Sequence, residues 1–492
     1  MNKIDVLKTI NFGESVAEDD AKLDAYFVET DSWKRLIEDE VDIVYGPKGS
    51  GKSALYKNLL SNESYLNDKN IVLVAAENIT GAAVFQSILG TEELNESTYK
   101  HLWYMYILAL IGKYIKENDY QTQECKIFIS KLQEEGLAEG RNIRRLLSDV
   151  KDYVINIFKR IEAIETGLGF EGFSGRISLS EPTYEQKKLG IISVYDLLDI
   201  ANDALMSINK KTWVIFDRLD VSFSEKPEVE RVAIRTLFQV YNDLKSYDFI
   251  KLKIFIRDDI WQRIIDGGFR EASHITKSIT IKWNEENLRN LIVQRIIDNE
   301  IFTELWDIDK PEVIRSADKQ EEVFYKVFPY QVDSGERKPN TFNWMLSRVK
   351  DGLSVVAPRE LIQLINEAKI KQIEELETGD ITEKQLEKFI GRKALKKGLE
   401  AVSKKRLEQT IYAEYFSLKK YIKKLEGQKA EQSLENLAHL FELDLENAKV
   451  IVENLCEIGI FEKKADSYWV PFMYRPALNL IQGREDSIQQ IN

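Results

Sequence analysis

Cysteine and histidine are scarce in this chain, with two of the former, Cys125 and Cys456, and three of the latter among 492 residues. The cysteines stand far apart and form no C-x-x-C. Neither a disulfide framework nor a zinc site is indicated, and a reducing cytoplasm is expected. Long hydrophobic runs are missing too. The longest, Leu102 to Ile111, is far short of a membrane span, and the opening Met1-Asn2-Lys3-Ile4-Asp5 lacks the apolar centre of a signal peptide. A soluble protein with no membrane partner is expected. Basic residues are outnumbered, and a net charge of −13 argues against constitutive duplex binding, which relies on a concentrated basic surface. The densest basic run (Arg392, Lys393, Lys396, Lys397, Lys404, Lys405, Arg406) reads as the solvated face of a helix ahead of a nucleic-acid contact. No nuclease, protease, deaminase or TIR-like constellation stands out.

The composition that remains, 43% hydrophobic and 31% charged, is that of a globular protein, and the length suits three or four domains. Within it stands Gly46-Pro47-Lys48-Gly49-Ser50-Gly51-Lys52-Ser53, a complete G-x4-G-K-[ST] pattern. It follows the apolar run Val41 to Tyr45 and leads into Ser53 to Leu60, a stretch of helical spacing in which Ala54 is the first residue beyond the pattern. Glycines let consecutive backbone N–H groups turn inward around a polyphosphate. Lys52 then supplies a cation to the β and γ phosphates and Ser53 a hydroxyl to Mg²⁺. The pattern predicts a nucleotide-binding site. ATP is the expected nucleotide.

Strand-like runs recur with helical pattern between them, which predicts an α/β core with a parallel sheet. The expected strands are Asp42 to Tyr45, Ile71 to Ala76, Thr212 to Phe216, Leu252 to Ile256 and Ser278 to Lys282. Between the second and third lies a helical excursion from about Tyr99 to Ile164, then a glycine-rich stretch from Gly167 to Gly175 that reads as a hairpin or ordered loop. Beyond Trp283 the pattern is helical, as in Asn287 to Ile296 and Glu360 to Ala368, and suggests a lid. From about Lys404 the order is helix, Leu434 to Phe441, Leu445 to Cys456, then short strands Ile460 to Lys463 and Tyr468 to Val470, the order of a winged helix-turn-helix. The expected domains are therefore a P-loop core in two parts (1–98 and 186–284), a helical insertion (99–185), a lid (285–403) and a winged helix (404–492).

A phosphate loop needs an acidic partner on a neighbouring strand, because Mg²⁺ prefers hard oxygen ligands. Trp213-Val214-Ile215-Phe216-Asp217 supplies one, with Asp217 expected at the strand's C-terminal edge. Arg218 follows it and cannot serve as a base. Asp220 is the candidate replacement, with a plain structural role equally open. Slow or assembly-dependent hydrolysis is the consequence. Leu252 to Ile256 ends in Arg257-Asp258-Asp259. There Arg257 either senses the γ-phosphate or pairs with Asp258, Asp259 or Asp217. Pro358 favours a helix's first turn, which places Arg359 where it could reach over the phosphates. Arg295 reads rather as a surface pair with a nearby acid.

Taken together, these residues resemble bacterial P-loop ATPases of the broad AAA+ and STAND type, with an architecture also similar to archaeal Orc/Cdc6 initiators. The resemblance runs through Phe12-Gly13-Glu14-Ser15-Val16-Ala17-Glu18, Tyr26-Phe27-Val28, Lys48 to Ala54, Asp217-Arg218-Leu219-Asp220, Arg257-Asp258-Asp259-Ile260-Trp261, Pro358-Arg359-Glu360 and Tyr474-Arg475-Pro476-Ala477-Leu478. It implies ATP held between core and lid, with Mg²⁺ on Asp217, Arg257 as first sensor, Arg359 as second, and the segment from Phe12 to Phe27 near the adenine. It also implies a switch between ADP-bound rest and ATP-bound assembly, as in sensing and anti-phage defence. Arg218 departs from the second acid usual in that class.

Three outputs are open: a regulatory ATPase acting by homo-oligomer assembly or on a separate effector protein, a DNA-loading or remodelling ATPase, and a nucleotide-dependent scaffold with little turnover. The expected recognition helix, Leu445 to Glu457, carries Glu446, Glu453 and Glu457 against Lys449. That favours protein docking over DNA, while Lys463 and Lys464 in the wing keep DNA open.

Overall fold

The computed structural model describes residues 3–76, 95–137, 142–165, 177–178, 192–219 and 227–484. The glycine-rich stretch from Gly167 to Gly175 and Asp220 lie outside the described residues. The chain divides into two compact units, one of Glu29–Lys48 with Lys52–Lys282 and the other of Met1–Val28, Gly49–Gly51 and Trp283–Asn492.

Five strands organise the first unit: β1 (Ile43–Gly46), β2 (Ile71–Ala75), β3 (Lys211–Phe216), β4 (Ile250–Arg257) and β5 (Ser278–Thr280). They pair in the order β2-β3-β4-β1-β5, every pair parallel. A parallel sheet covered on both faces is built from near-continuous apolar runs, and β1 and the Thr212–Phe216 part of β3 are buried throughout. The expected strand positions hold, with β4 beginning two residues earlier than its pattern suggested.

Helices α1 (Lys52–Ser61), α2 (Glu96–Glu117), α5 (Val194–Ser207), α6 (Pro227–Leu244) and α7 (Asp258–Asp266) flank this sheet, while α3 (Gln123–Glu134) packs on α2 and α5 and α4 (Ile143–Glu165) packs on α2. Helix α2 carries the longest apolar run and is buried from Leu102 to Ile111, so that run is spent on the core. It starts where the Asn95 side chain accepts from Thr98 N, and Tyr106 OH donates to Ala76 O at 2.7 Å, tying the helix to the end of β2. Trp103 donates to Ala233 O of α6 and meets the Phe216 ring edge-on at 5.8 Å. No helix among the described residues is long and apolar enough to cross a membrane.

Among the described residues, one cation is buried in this core. Lys253, in the middle of β4, is fully inaccessible, and its Nζ donates to Asp39 Oδ1 (2.7 Å), Val41 O (2.7 Å) and Asp42 Oδ1 (2.8 Å) while lying 4.2 Å above the Trp213 ring. Burial alone would raise the Asp39 carboxyl, but Lys253, then Lys211 and Lys277, hold it below the usual carboxylate range.

The second unit contains a short helix at Lys3–Thr9, then α8 (Glu285–Ile297), α9 (Thr341–Val349), α10 (Pro358–Glu377) and α11 (Arg392–Arg406). Helices α10 and α11 approach closely at Gly398, where a Cβ would fall 2.8 Å from Ala368 N. The basic face of α11 is largely neutralised: Lys393 and Lys397 pair with Glu375, Lys396 with Asp333, Lys405 with Glu367 and Arg406 with Glu360. A π-helical turn, Leu407–Ile411, follows directly.

The C-terminal part holds α12 (Leu434–Phe441) and α13 (Leu445–Glu457) with β6 (Lys429–Gln432), β7 (Glu462–Lys464), β8 (Ser467–Trp469) and β9 (Ile481–Arg484). The sheet order is β9-β6-β8-β7, and the β7–β8 hairpin turns at Ala465 with φ +50°. Two helices followed by a hairpin give the winged-helix order. Strands β6 and β9 were not expected, being short and polar.

Candidate functional site

Parallel register brings the chemistry-bearing residues of the first unit to one sheet edge. Gly46, which ends β1 and opens the glycine loop, is the register partner of Arg257 at the end of β4. Phe216 on β3 pairs with Ile254 on β4, so Asp217 emerges on the same side. In an open α/β sheet the crevice beyond the strands' carboxyl ends is where ligands sit.

The loop has the backbone that its glycines predicted, with Gly49 and Gly51 at φ +80° and +101°, a region open to glycine at little steric cost. Lys52, first residue of α1, folds back so that Nζ donates to Gly46 O (2.7 Å) and Pro47 O (3.0 Å). Ser53 Oγ donates to Asp217 Oδ2 at 3.1 Å, and Asp217 is only 2% exposed. A hydroxyl and a buried carboxylate at that spacing are hard oxygen donors suited to Mg²⁺, and Ser53 and Asp217 are the residues that would hold it. Pro47 and Lys48 complete the loop's near side, and Ala54 continues α1. Ser50 Oγ is buried with no hydrogen-bond partner among the described residues, an orphaned polar atom inside the loop that fits an anion-binding role.

Arg257 forms a two-point pair with Asp259, Nε to Oδ1 at 2.9 Å and Nη2 to Oδ2 at 2.8 Å. This is one of the two alternatives open for it from sequence. Burial would raise the Asp259 carboxyl, but Arg257 and then Arg263 bring it below its ordinary range. Asp258 behaves oppositely. Burial raises it, the Lys52 ammonium opposes that, and Asp259 adds to it. The same charge contributes, after burial, to pushing up the Tyr45 hydroxyl. Asp258 therefore lies within electrostatic reach of Lys52, a proximity that follows from the Gly46–Arg257 register and had no signal in the sequence. Arg218 has a left-handed backbone at φ +58°, which costs a side-chain-bearing residue about 1–2 kcal/mol. Directly after the buried carboxylate, it marks a tight exit from β3.

In the second unit, Arg359 is in the first turn of α10 after Pro358, and its Nε donates to Ser15 O at 3.3 Å. The loop tip Gly49–Gly51 groups with this unit. Trp283 Nε1 donates to Ser50 O, and a Cβ on Gly49 would fall 3.1 Å from Arg359 Cβ. Gln363 donates to Ser15 Oγ and Asn366 to Gly13 O, so α10 holds the segment from Gly13 to Ser15.

Arg295 corrects the sequence reading. Instead of pairing at the surface it is 3% exposed, its guanidinium 4.4 Å from the Tyr26 ring centroid and its Nη1 donating to Leu291 O. Burial lowers it to about 10 despite the nearby Tyr26 and Asp20. The cause is the N-terminal segment: Tyr26 donates to Asp20 and covers the arginine, and a Cβ on Gly13 would collide with both Asp20 and Tyr26.

The parallel sheet, its strand order and the glycine loop between β1 and α1 define an α/β fold of the P-loop class. No family model and no curated protein matches the chain. Among solved structures it is similar to the ORC1 protein of Aeropyrum pernix in complex with DNA, at 9% identity over 95% of this chain and 96% of that one, with a TM-score of 0.36. It is also similar to the ORC2 protein of Aeropyrum pernix in ADPNP–ADP complexes, at 14% identity over 89% of this chain and 86% of that one, with a TM-score of 0.31.

Proposed function

We propose that the chain is an ATP-binding regulatory ATPase whose turnover is slow. The observation that carries this reading is the 3.1 Å contact of Ser53 with Asp217 beneath a loop whose lysine is already folded toward it. Loop N–H groups and Lys52 would bind the phosphates, and Ser53 with Asp217 would hold Mg²⁺, which when bound neutralises charge on the β and γ phosphates. Arg257, braced by Asp259, would orient the terminal phosphate. Arg218 stands where related ATPases carry a water-orienting acid, which supports slow or assembly-dependent hydrolysis. The motif likeness to sensing and defence ATPases supports a switch controlling self-assembly or a partner effector.

Protein docking is favoured over DNA reading by the outer face of α13, where Glu446, Glu453 and Glu457 are exposed beside the apolar Leu445 and Val450. Its single lysine, Lys449, lies 3.9 Å from Glu453. Carboxylates on that face repel a phosphate backbone. The test is ATP turnover by the purified chain with and without duplex DNA, with Lys52→Ala as blank. Slow, Lys52-dependent turnover indifferent to DNA is expected. Strong stimulation by DNA would replace the reading with a loading or remodelling ATPase, and unaltered nucleotide affinity and turnover in Lys52→Ala would remove it.

A further inference from the structure

The segment Tyr474 to Leu478 takes no part in the nucleotide site, yet it borders a cavity of about 1070 Å³ walled by α9, α11, the π-helical turn and the C-terminal strand approach. Arg348 and Arg475 both line it and share one aromatic ring, their guanidinium carbons 3.8 and 4.0 Å from the Phe472 centroid. Stacking occupies guanidinium faces and leaves N–H edges to act. Among the described residues each makes one strong backbone or hydroxyl contact only: Arg348 to Ser347 Oγ, Arg475 to Val470 O. Neither forms an ion pair with a described residue, in a chain where acids outnumber bases.

Two half-buried like charges on one ring oppose each other. Burial and then Arg348 lower the Arg475 guanidinium, while burial lowers Arg348 against the pull of Asp333, which is itself paired with Lys396 at 2.6 Å. Lys404 and Lys423 line the same cavity, also without an ion pair among the described residues. Such a collection is stable only where an anion completes it or solvent replaces one. The π-helical turn Leu407–Ile411 is the second, independent feature. π-Turns are rare and recur at functional sites, and this one sets Leu407 and Glu408 into the cavity wall.

We propose that this cavity binds a compact phosphorylated small molecule, a nucleotide or sugar phosphate, with its phosphate on Arg348 and Arg475. A phosphate monoester carries close to two negative charges near neutral pH, matching two guanidiniums better than a single carboxylate does. Glu400, Glu408 and Glu426 also line the cavity, which disfavours a ligand charged along its whole length, such as a nucleic-acid strand, and suits one whose remaining groups are hydroxyl or amino donors. The volume lies just above the usual range for small-molecule pockets, about 300–1000 Å³.

The test uses the full chain carrying Lys52→Ala, so that the glycine loop is silent, in calorimetric titrations with AMP, glucose 6-phosphate, inorganic phosphate and a single-stranded oligonucleotide. Saturable binding of AMP or of the sugar phosphate is expected, weakened at least tenfold by Arg348→Gln with Arg475→Gln. Should that double variant fail to fold, Glu408→Gln decides, since removing a negative charge must tighten anion binding several-fold and no folding defect does so. Which of the two organic phosphates binds identifies the class. Binding of neither, binding of the oligonucleotide alone, affinity equal to that of inorganic phosphate, or indifference to Glu408→Gln would overturn the proposal.

Discussion

Ser53 and Asp217, 164 residues apart, share a hydrogen bond of 3.1 Å. Their meeting is a consequence of strand order: β3 reaches β1 only through β4, so helix α1 and the end of β3 must both lean across one intervening strand. Asp217→Asn and Ser53→Ala should each lower Mg²⁺-dependent nucleotide affinity by on the order of tenfold, the scale of one hydrogen bond to a charged group. Affinity measured in the presence of a chelator should change much less. Titrations with and without metal separate the two.

Lys463 and Lys464 are exposed in the β7–β8 hairpin, although Lys464 already pairs with Glu462 at 3.1 Å and lies over the Trp469 ring. Replacing both by Gln should leave duplex affinity and its salt slope unchanged. A slope reduced by about two would instead show that the wing touches phosphates.

Lys253→Met should destabilise the protein by about 3–5 kcal/mol, because it leaves the Asp42 carboxylate buried without its cation. Tyr241 OH still donates to Asp42, which limits the loss. Denaturant titration reads the effect directly.

His101 is buried in α2, and burial lowers it to about 4 from an ordinary 6.5. The sign follows from linkage. The unfolded chain takes up the proton first, so the contribution is intact above 6.5 and is lost as pH falls toward 4. Stability should drop by about 2 kcal/mol between pH 7 and pH 5 from this group. His101→Phe should flatten that part of the curve in chemical denaturation at the two pH values.

The parallel sheet and the glycine loop were legible because each rests on local pattern: continuous apolar runs for buried parallel strands, and a fixed spacing of glycine, lysine and serine for the loop. Arg295 was not, because its burial depends on Tyr26 and Gly13, far away in sequence, folding over it. Asp258 reads as one more acid after a strand, and only the Gly46–Arg257 register places it near Lys52. Strand β6 escaped because Lys429-Ala430-Glu431-Gln432 has neither alternation nor β-branched residues, its pairing being imposed by the hairpin beside it, and β9 is a strand only by pairing in turn with β6. The π-helical turn has no compositional signature at all.

The three bonds of Lys253 act on β4 as a stop. Strands rise about 3.3 Å per residue, so a slip of two residues, the smallest that keeps side chains on their proper faces, would carry Arg257 about 7 Å past Gly46. Such a slip would also have to drag an ammonium out of its cage of Asp39, Asp42 and Val41. An apolar residue at 253 would glide past its neighbours with little penalty. The buried charge therefore works as an index mark cut into the middle of the strand, and the alignment read at its carboxyl end is the phosphate loop's.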